Sequence, residues 1–357
     1  MKLKTLILCT AAASLAAGSA VADSITVVSW GGAYTKSQVE AYHKPWMAKS
    51  GHQIVSEDYN GGLAEVKAQV EANNVTWNLV DVELSDAVRG CDEGLFEPID
   101  KSILPAAPDG TPATADFIDG ALPDCAVANI VWSTVFAYDT SKTKGVGGIA
   151  DFFDLNKFPG KRGLRKGPKA TLEMALMGDG VPASEVYALL GTEAGVARAF
   201  AKLDTIKDSV IWWEAGAQPP QLLADGEVVM TTAYNGRIFN AAIAENKPFE
   251  VNWDGQIMDF DLWAIPKGSK NQKLALDFIA FSTDTQRLAD QAAWISYGPA
   301  RKSSGPLVGK YNDGKTDMAP HMPTSSGALK NALVNDFLFW ADHQDELNER
   351  FNAWLAR

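Results

Sequence analysis

Short apolar runs alternate with segments of helical periodicity in the first third of the chain. The runs 24–29, 53–57 and 77–83 are rich in β-forming residues and predict strands. A helix is predicted after the first run, with Thr35 and Gln38 as a capping box, and another helix between the later runs. This alternation predicts an α/β fold with a mostly parallel sheet flanked by helices.

Two later apolar runs are placed to connect separate domains. Since 357 residues exceed what one hydrophobic core usually holds, the length favours two domains. The run 125–138 is long enough to leave one domain and enter another, and the strand-like run 258–266 is predicted to return to the first. Between them the alternation restarts, with helices predicted over 171–177 and 193–203 and a strand over 209–213.

The stretch 222–240 joins a regular structural unit to a concentration of binding chemistry. A turn at Asp225 and Gly226 precedes a short apolar strand, which is followed by Tyr234-Asn235-Gly236-Arg237. Open α/β sheets bind ligands at the carboxyl ends of their strands, so this aromatic and this guanidinium are candidate binding groups. The alternative interpretation is a surface loop with an incidental arginine.

The amino-terminal segment carries the pattern of a cleavable export signal. Lys2 and Lys4 precede an apolar stretch over 6–17, and an alanine-valine-alanine sequence ends at residue 22. We therefore expect residues 1–22 to be removed and the mature protein to be exported. No later stretch approaches the ~20 apolar residues that a membrane span requires.

Charge and cysteine content limit the partners and indicate a covalent link. The chain has 32 basic and 44 acidic residues, so removing the two lysines of the signal leaves 30 against 44, a formal charge of −14. This excess argues against nucleic acid as a partner. A basic cluster over 161–169 is interpreted as a solvated loop. In an oxidising compartment, Cys91 and Cys125 are predicted to form a disulfide.

Side chains with binding chemistry lie near predicted strand ends, whereas catalytic motifs are missing. The four histidines are scattered, and no metal or cofactor site is predicted. Asp259 and Asp261 alternate along a strand and so face one side, where two carboxylates suit either acid–base hydrolysis or an ammonium group. Trp30, Tyr34 and Tyr297 lie in glycine-containing turns, where aromatic rings can surround a cation.

Five segments, in order, match a known family: SWGGAY, WNLVDVE, ADGEVVMTTAYNGR, DFDLWAIPKGSKN and ISYGPARK. Across nearly the whole mature chain, the sequence resembles the periplasmic spermidine/putrescine-binding proteins of ABC importers. The resemblance implies two α/β lobes joined by crossing strands, a ligand in the cleft between them, a permease in the inner membrane as partner, and no enzymatic activity. It divides the chain into a signal peptide over 1–22, lobe 1 over 23–132 and 263–310, lobe 2 over 133–262, and a C-terminal helical segment over 311–357.

The resemblance also implies roles for individual residues. Tyr234 matches an aromatic that stacks on the methylene chain of the ligand, and Asp261 matches an aspartate that pairs with an amine. The other implied site residues are the first-lobe aromatics Trp30 and Tyr34, Glu83 at the end of the third strand, the acidic second-lobe residue Glu173, and Tyr297 in the closing loop.

Two positions depart from the family pattern and leave the ligand open. Asp259 stands where the family usually has tryptophan, and Arg237 stands where polyamine binders place a small residue or an aspartate. A guanidinium repels a polyamine unless a carboxylate such as Asp259 or Glu83 neutralises it. Alternatively, Arg237 binds the carboxylate of an ω-amino acid such as 4-aminobutyrate, while Asp261 and the aromatics hold its ammonium group.

Two other functional classes remain as hypotheses. A secreted hydrolase would use Asp259 and Asp261 as acid and base. A sensor would present the same small solute to a receptor instead of a permease. In each case we expect a monomer.

Overall fold

Ten strands form one continuous sheet in the computed structural model, which describes residues 23–357. The predicted signal peptide therefore lies outside the described residues. The strands are β1 (Ser24–Ser29), β2 (Gln53–Asp58), β3 (Leu79–Glu83), β4 (Ala126–Asp139), β5 (Arg162–Arg165), β6 (Val210–Trp213), β7 (Met230–Tyr234), β8 (Phe249–Ala264), β9 (Gly298–Pro299) and β10 (Leu333–Val334). Their order is β2-β1-β3-β8-β4-β7-β5-β6, with β10 beside β8 and β9 beside β4.

Helices flank this sheet along its whole length. They are α1 (Gly32–Gln38), α2 (Lys44–Ser50), α3 (Ala64–Glu71), α4 (Leu84–Asp92), α5 (Ala113–Asp116), α6 (Ile149–Phe152), α7 (Thr171–Gly178), α8 (Val186–Leu190), α9 (Glu193–Asp204), α10 (Gln218–Asp225), α11 (Asn235–Phe239), α12 (Gln272–Ser282), α13 (Thr285–Ala292) and α14 (Phe337–Leu355). None of the helices within residues 23–357 is long and apolar enough to cross a membrane.

The sheet is divided into two lobes by its hydrophobic cores. One core includes Trp46 and Trp263, whereas the other includes Phe136, Leu172 and Trp340. Within the first lobe β1 pairs in parallel with β2 and β3, and within the second β5 pairs in parallel with β6 and β7. The predicted two-domain α/β fold, with a mostly parallel sheet in each lobe, is confirmed.

Two long antiparallel strands connect the lobes. β4 and β8 pair from Ala126 opposite Ala264 to Asp139 opposite Phe249, with irregular register near Asn129. β8 also pairs with β3 in the first lobe, and β4 pairs with β7 in the second. β8 begins nine residues before the predicted start at position 258, because its first half carries polar, partly exposed residues that hide the strand pattern.

The predicted capping box at Thr35 is wrong. The first helix begins at Gly32, so Thr35 already lies in its first turn, and its hydroxyl accepts a hydrogen bond from the backbone N–H of Gly31 (2.8 Å). A π-helical segment over 39–43 then leads into α2, where Pro45 lies in the first turn and its missing N–H is tolerated.

The carboxy-terminal helix contacts both lobes. Trp340, Phe351 and Trp354 of α14 are buried in the second core. On its other side, Arg89 of α4 donates to Asp345 (2.7 Å). This helix therefore connects the two lobes through its side chains.

The predicted disulfide is confirmed. Cys91, near the end of α4, is bonded to Cys125, immediately before β4. The bridge ties the start of a lobe-connecting strand to a helix of the first lobe and closes a loop between positions 34 apart.

Candidate functional site

Strand ends from both lobes converge on two adjoining cavities in the cleft. The first, which we call the aromatic cavity, is lined by Trp30, Tyr34, Glu83, Trp132, Tyr234, Arg237, Asp261 and Tyr297. The second we call the lysine cavity. It shares Glu83, Trp132 and Tyr234 with the first and adds Arg165, Lys169, Asp259 and Asn335 among its lining residues.

Edge-to-face aromatic contacts shape the first cavity. The Tyr34 and Tyr297 rings meet at 5.2 Å and 83°, and the Trp132 and Tyr234 rings at 4.9 Å and 78°. Position 236 requires a glycine for a steric reason, because a Cβ atom there would lie 2.6 Å from the Tyr297 ring. The sequence Tyr-Asn-Gly-Arg thus allows the Tyr297 loop to pack directly on the first turn of α11.

Arg237 is held in this cavity by the other lobe. Its Nη1 donates to the carbonyl of Gly31 (2.6 Å) and its Nη2 to the carbonyl of Trp30 (3.0 Å). Its Nε is buried and has no hydrogen-bond partner among the described residues. A carboxylate at Asp259 or Glu83 does not neutralise it, so that alternative is wrong. The guanidinium is therefore anchored by neutral groups and keeps its full charge.

Asp261 is a buried carboxylate without a cationic partner. Its Oδ1 accepts a hydrogen bond from the indole of Trp132 (2.9 Å), and no ion pair within residues 23–357 includes it. Burial, together with the nearby charges of Asp81, Glu83 and Asp259, raises the pKa of Asp261 well above its usual range. A cation placed beside Asp261 would remove this unfavourable charge environment.

Asp81 lies next to this carboxylate but is satisfied differently. Ser29, Gln38 and Asn129 donate hydrogen bonds to it at 2.8, 2.7 and 3.0 Å. Burial raises the pKa of Asp81 to about 6, although these hydrogen bonds oppose the shift. Asp81 thus adds negative charge behind Asp261.

The carboxylates of the lysine cavity are paired with basic residues. Glu83 contacts Lys169 (2.7 Å) and Arg165 (3.4 Å), and Asp259 contacts Lys169 (3.5 Å) and Asn335 (2.5 Å). Burial alone would raise the pKa of Glu83, but the two cations outweigh it and lower the pKa. For Asp259, burial is the largest effect and raises the pKa to about 6.

The interpretation of the basic segment as a solvated loop is wrong for three of its members. Arg162 is fully buried and its Nε donates to the carbonyl of Phe152 (2.6 Å). Arg165 and Lys169 reach into the cleft, whereas Lys166 points to the surface and binds Glu214 (3.0 Å). Nothing in the spacing of these residues distinguishes them, because the difference arises from carboxylates contributed by the other lobe and by β8. The sequence analysis did not identify Trp132 and Asn335 as site residues. Trp132 lies in a uniformly buried strand and Asn335 in an irregular segment, so neither has a local pattern that indicates a site.

Glu173 lies apart from both cavities. It is buried in α7, where its Oε1 accepts hydrogen bonds from the Trp340 indole (2.7 Å) and the Tyr187 hydroxyl (3.0 Å). Burial raises its pKa to about 7. These contacts join α7 to the carboxy-terminal helix, so the structure does not bring Glu173 together with the other predicted site residues.

Comparisons with known proteins agree with this two-lobed architecture. Residues 41–324 match a family model described as bacterial extracellular solute-binding protein. The gamma-aminobutyric acid-binding protein of Pseudomonas aeruginosa is 46% identical over 343 residues, which cover 96% of this chain and 94% of that protein.

Solved structures extend the comparison to three dimensions. The Atu4243 GABA receptor has a TM-score of 0.79 and 32% identity, covering 94% of this chain and 98% of that one. The protein AgtB of Agrobacterium tumefaciens R10, solved with agropinic acid, has a TM-score of 0.82 and 28% identity, covering 94% and 99%.

The specific resemblance to spermidine/putrescine-binding proteins extends only to the fold. The spermidine/putrescine-binding protein of Streptococcus pneumoniae has a TM-score of 0.68 at 14% identity, covering 94% of this chain and 100% of that one. The broader prediction of an extracellular solute-binding protein is confirmed. With a family model matched over most of its length and a relative 46% identical, the chain belongs to the bacterial extracellular solute-binding protein family.

Proposed function

We propose that this protein captures a zwitterionic ω-amino acid, such as 4-aminobutyrate, in the aromatic cavity and delivers it to the permease of an ABC importer. One observation carries the proposal: the guanidinium of Arg237 and the carboxylate of Asp261, neither of which has an ionic partner among residues 23–357, line the same aromatic cavity. A solute with one carboxylate and one ammonium group satisfies both. The names of the 46% identical relative and of the GABA receptor agree with this ligand.

The orientation of Arg237 supports binding of the carboxylate group. Its two terminal nitrogens donate to the backbone carbonyls of Gly31 and Trp30, whereas Nε, on the side of the guanidinium that it shares with Nη2, has no partner among the described residues. Two parallel N–H groups along that side match the two oxygens of a carboxylate. Neutral anchoring carbonyls do not compete for the charge, so the solute carboxylate is its counter-ion.

The part of the cavity that carries Asp261 suits an ammonium group. Asp261 supplies a desolvated carboxylate, and the rings of Tyr34, Trp132 and Tyr297 line the same space. A desolvated cation gains roughly 1–2 kcal/mol over an aromatic face, in addition to its attraction to the carboxylate. The methylene groups between the two ends pack against these rings.

A diamine fits this charge distribution less well. One of its ammonium groups would pair with Asp261, but the other would share the cavity with Arg237. Like charges in a desolvated site repel by several kcal/mol, on the order of 4 kcal/mol at 4 Å for an effective dielectric of about 20. We therefore propose an ω-amino acid rather than a polyamine as the solute.

We infer that the protein acts in the periplasm as a monomer. Export follows from the family and from the predicted signal, and solute delivery requires contact with a membrane permease. A sensor that presents the same solute to a receptor would use the same site. Co-purification with an importer permease, rather than with a receptor, would support the transport role.

We propose binding without turnover, in contrast to the hydrolase hypothesis. Asp259 contacts Lys169 and Asn335, whereas Asp261 contacts Trp132. The two carboxylates therefore have separate partners and lie in different cavities, instead of facing one scissile bond.

Replacing Arg237 with glutamine should remove the partner of the solute carboxylate. We expect the affinity for 4-aminobutyrate to fall roughly 100-fold or more, because a buried charge pair loses one member. Isothermal titration calorimetry measures this change. The control is Arg350→Gln, which removes a partly exposed arginine that is bonded to Glu193 and lies outside both cavities. An affinity that falls less than threefold in Arg237→Gln would show that this guanidinium does not bind the solute.

Replacing Asp261 with asparagine keeps the side-chain volume but removes the charge that attracts the ammonium group. We expect about a 100-fold loss of 4-aminobutyrate affinity in calorimetry. The wild-type protein should leave the solute unchanged, which proton NMR of a day-long incubation can verify. Turnover that disappears in Asp261→Asn would instead establish the hydrolase hypothesis.

Binding should release a proton. Burial and the neighbouring carboxylates raise the pKa of Asp261 in the free protein, and an ammonium group favours its ionised form, so binding lowers that pKa. Affinity should therefore fall as the pH is lowered through the raised pKa of the free protein, by up to about tenfold per pH unit. Calorimetry over a series of pH values, in buffers of different ionisation enthalpy, counts the protons. Asp81 and Asp259 have pKa values of about 6, so Asp261→Asn identifies the responsible group. Proton uptake by the wild type would contradict the assignment.

Solute binding should close the cleft. The lobes are connected mainly by β4 and β8, and site residues come from both sides, so binding favours a closed arrangement. Small-angle X-ray scattering should show a smaller radius of gyration with saturating 4-aminobutyrate than without it. Superimposable profiles would contradict the closure mechanism.

A further inference from the structure

Lys169 occupies a site that has the oxygen arrangement of an ammonium-binding pocket. Its Nζ lies 2.7 Å from Oε2 of Glu83, 2.6 Å from Oγ of Ser85 and 3.5 Å from Oδ2 of Asp259. A primary ammonium has three N–H donors, so these three oxygen atoms match its capacity. Two of them carry negative charge.

The oxygen atoms come from different parts of the fold. Glu83 ends β3, and Ser85 begins α4 in the first lobe, whereas Asp259 belongs to the lobe-connecting strand β8. Lys169 arrives from the second lobe, in the segment between β5 and α7. The next residue, Ala170, has a left-handed backbone with φ of 64°, which is costly for a residue with a Cβ atom. The second lobe thus accepts local strain immediately beside this lysine.

This oxygen site adjoins the aromatic cavity. Glu83, Trp132 and Tyr234 line both cavities, so a flexible solute in the first has its far end close to the second. Without Lys169, the first cavity would open towards two buried carboxylates. Those carboxylates would attract a second ammonium group on the solute and repel a carboxylate group.

We propose that Lys169 determines the specificity of the site by filling, with its own ammonium group, the position that a second ammonium of a diamine would occupy. The wild-type cleft then accepts a solute with one ammonium group and rejects diamines. This inference rests on the proposed function, because it concerns the choice between an ω-amino acid and a diamine. Lys169 and Arg237 would then both discriminate against a diamine.

Calorimetry with putrescine and 4-aminobutyrate tests this role in Lys169→Ala. Removal of the lysine should make putrescine binding roughly tenfold or more tighter than in the wild type, and 4-aminobutyrate binding roughly tenfold or more weaker. Lys169→Arg, which retains a cation beside these carboxylates, should leave putrescine binding as weak as in the wild type. Lys166→Ala is the matched control, since that lysine belongs to the same segment but is exposed and bonded to Glu214.

Folding of each variant is verified by circular dichroism, and Lys169→Gln replaces Lys169→Ala if the latter does not fold. Putrescine affinity that stays within threefold of the wild type in the folded, uncharged variant overturns the proposal. The proposed function is tested separately by the wild type alone. If the wild type does not bind 4-aminobutyrate but Lys169→Ala gains putrescine binding, the ligand assignment fails and the role of Lys169 stands.

Discussion

The bonds between Arg237 and two backbone carbonyls of the first lobe determine the electrostatics of the cleft. Gly31 and Trp30 accept from the terminal nitrogens of this arginine, so Arg237 reaches across the cleft from the second lobe without an ion pair to any described residue. The close approach requires a glycine at position 32, where a Cβ atom would lie 2.6 Å from Nη1. Because carbonyl groups orient the guanidinium without cancelling its charge, an anionic solute group remains the natural counter-ion.

The other charged residues of the cleft have partners of their own, so the guanidinium of Arg237 stays available to a solute. Glu83 and Asp259 are bound by Lys169, and Glu83 also by Arg165. Asp81 accepts three neutral hydrogen bonds. Among the described residues that line the aromatic cavity, one cation and one carboxylate remain without an ionic partner, Arg237 and Asp261. A buried pair left without partners is unfavourable in the free protein, and the binding free energy of a zwitterion includes relief of both penalties.

Much of this arrangement follows from local sequence, because strand ends converge in an α/β fold. That rule brings Trp30 and Tyr34 together with Tyr234 and Arg237 from two segments, and strand alternation places Asp261 in the same cleft. The disulfide follows equally directly from two cysteines in an oxidising compartment. The fold was predictable for the same reason, since its strands and helices have distinct periodicities.

The remaining features depend on contacts between distant segments. Lys169 and Lys166 are indistinguishable in sequence, yet only Lys169 meets carboxylates of the other lobe. The face of α7 that carries Glu173 packs against the carboxy-terminal helix instead of the cleft. The sequence around Glu173 does not indicate which of these two surfaces the helix faces. A charged residue is buried only where a partner compensates its charge. For Lys169 that partner is Glu83, which lies on the opposite side of the cleft.

A crystal structure of the complex with 4-aminobutyrate measures the pairing of charges most directly. We expect a carboxylate oxygen of the solute about 2.7–3.0 Å from Nε of Arg237 and the ammonium nitrogen at a similar distance from the carboxylate of Asp261. A solute bound with its carboxylate at Lys169, or with no contact to Arg237, would contradict the assignment.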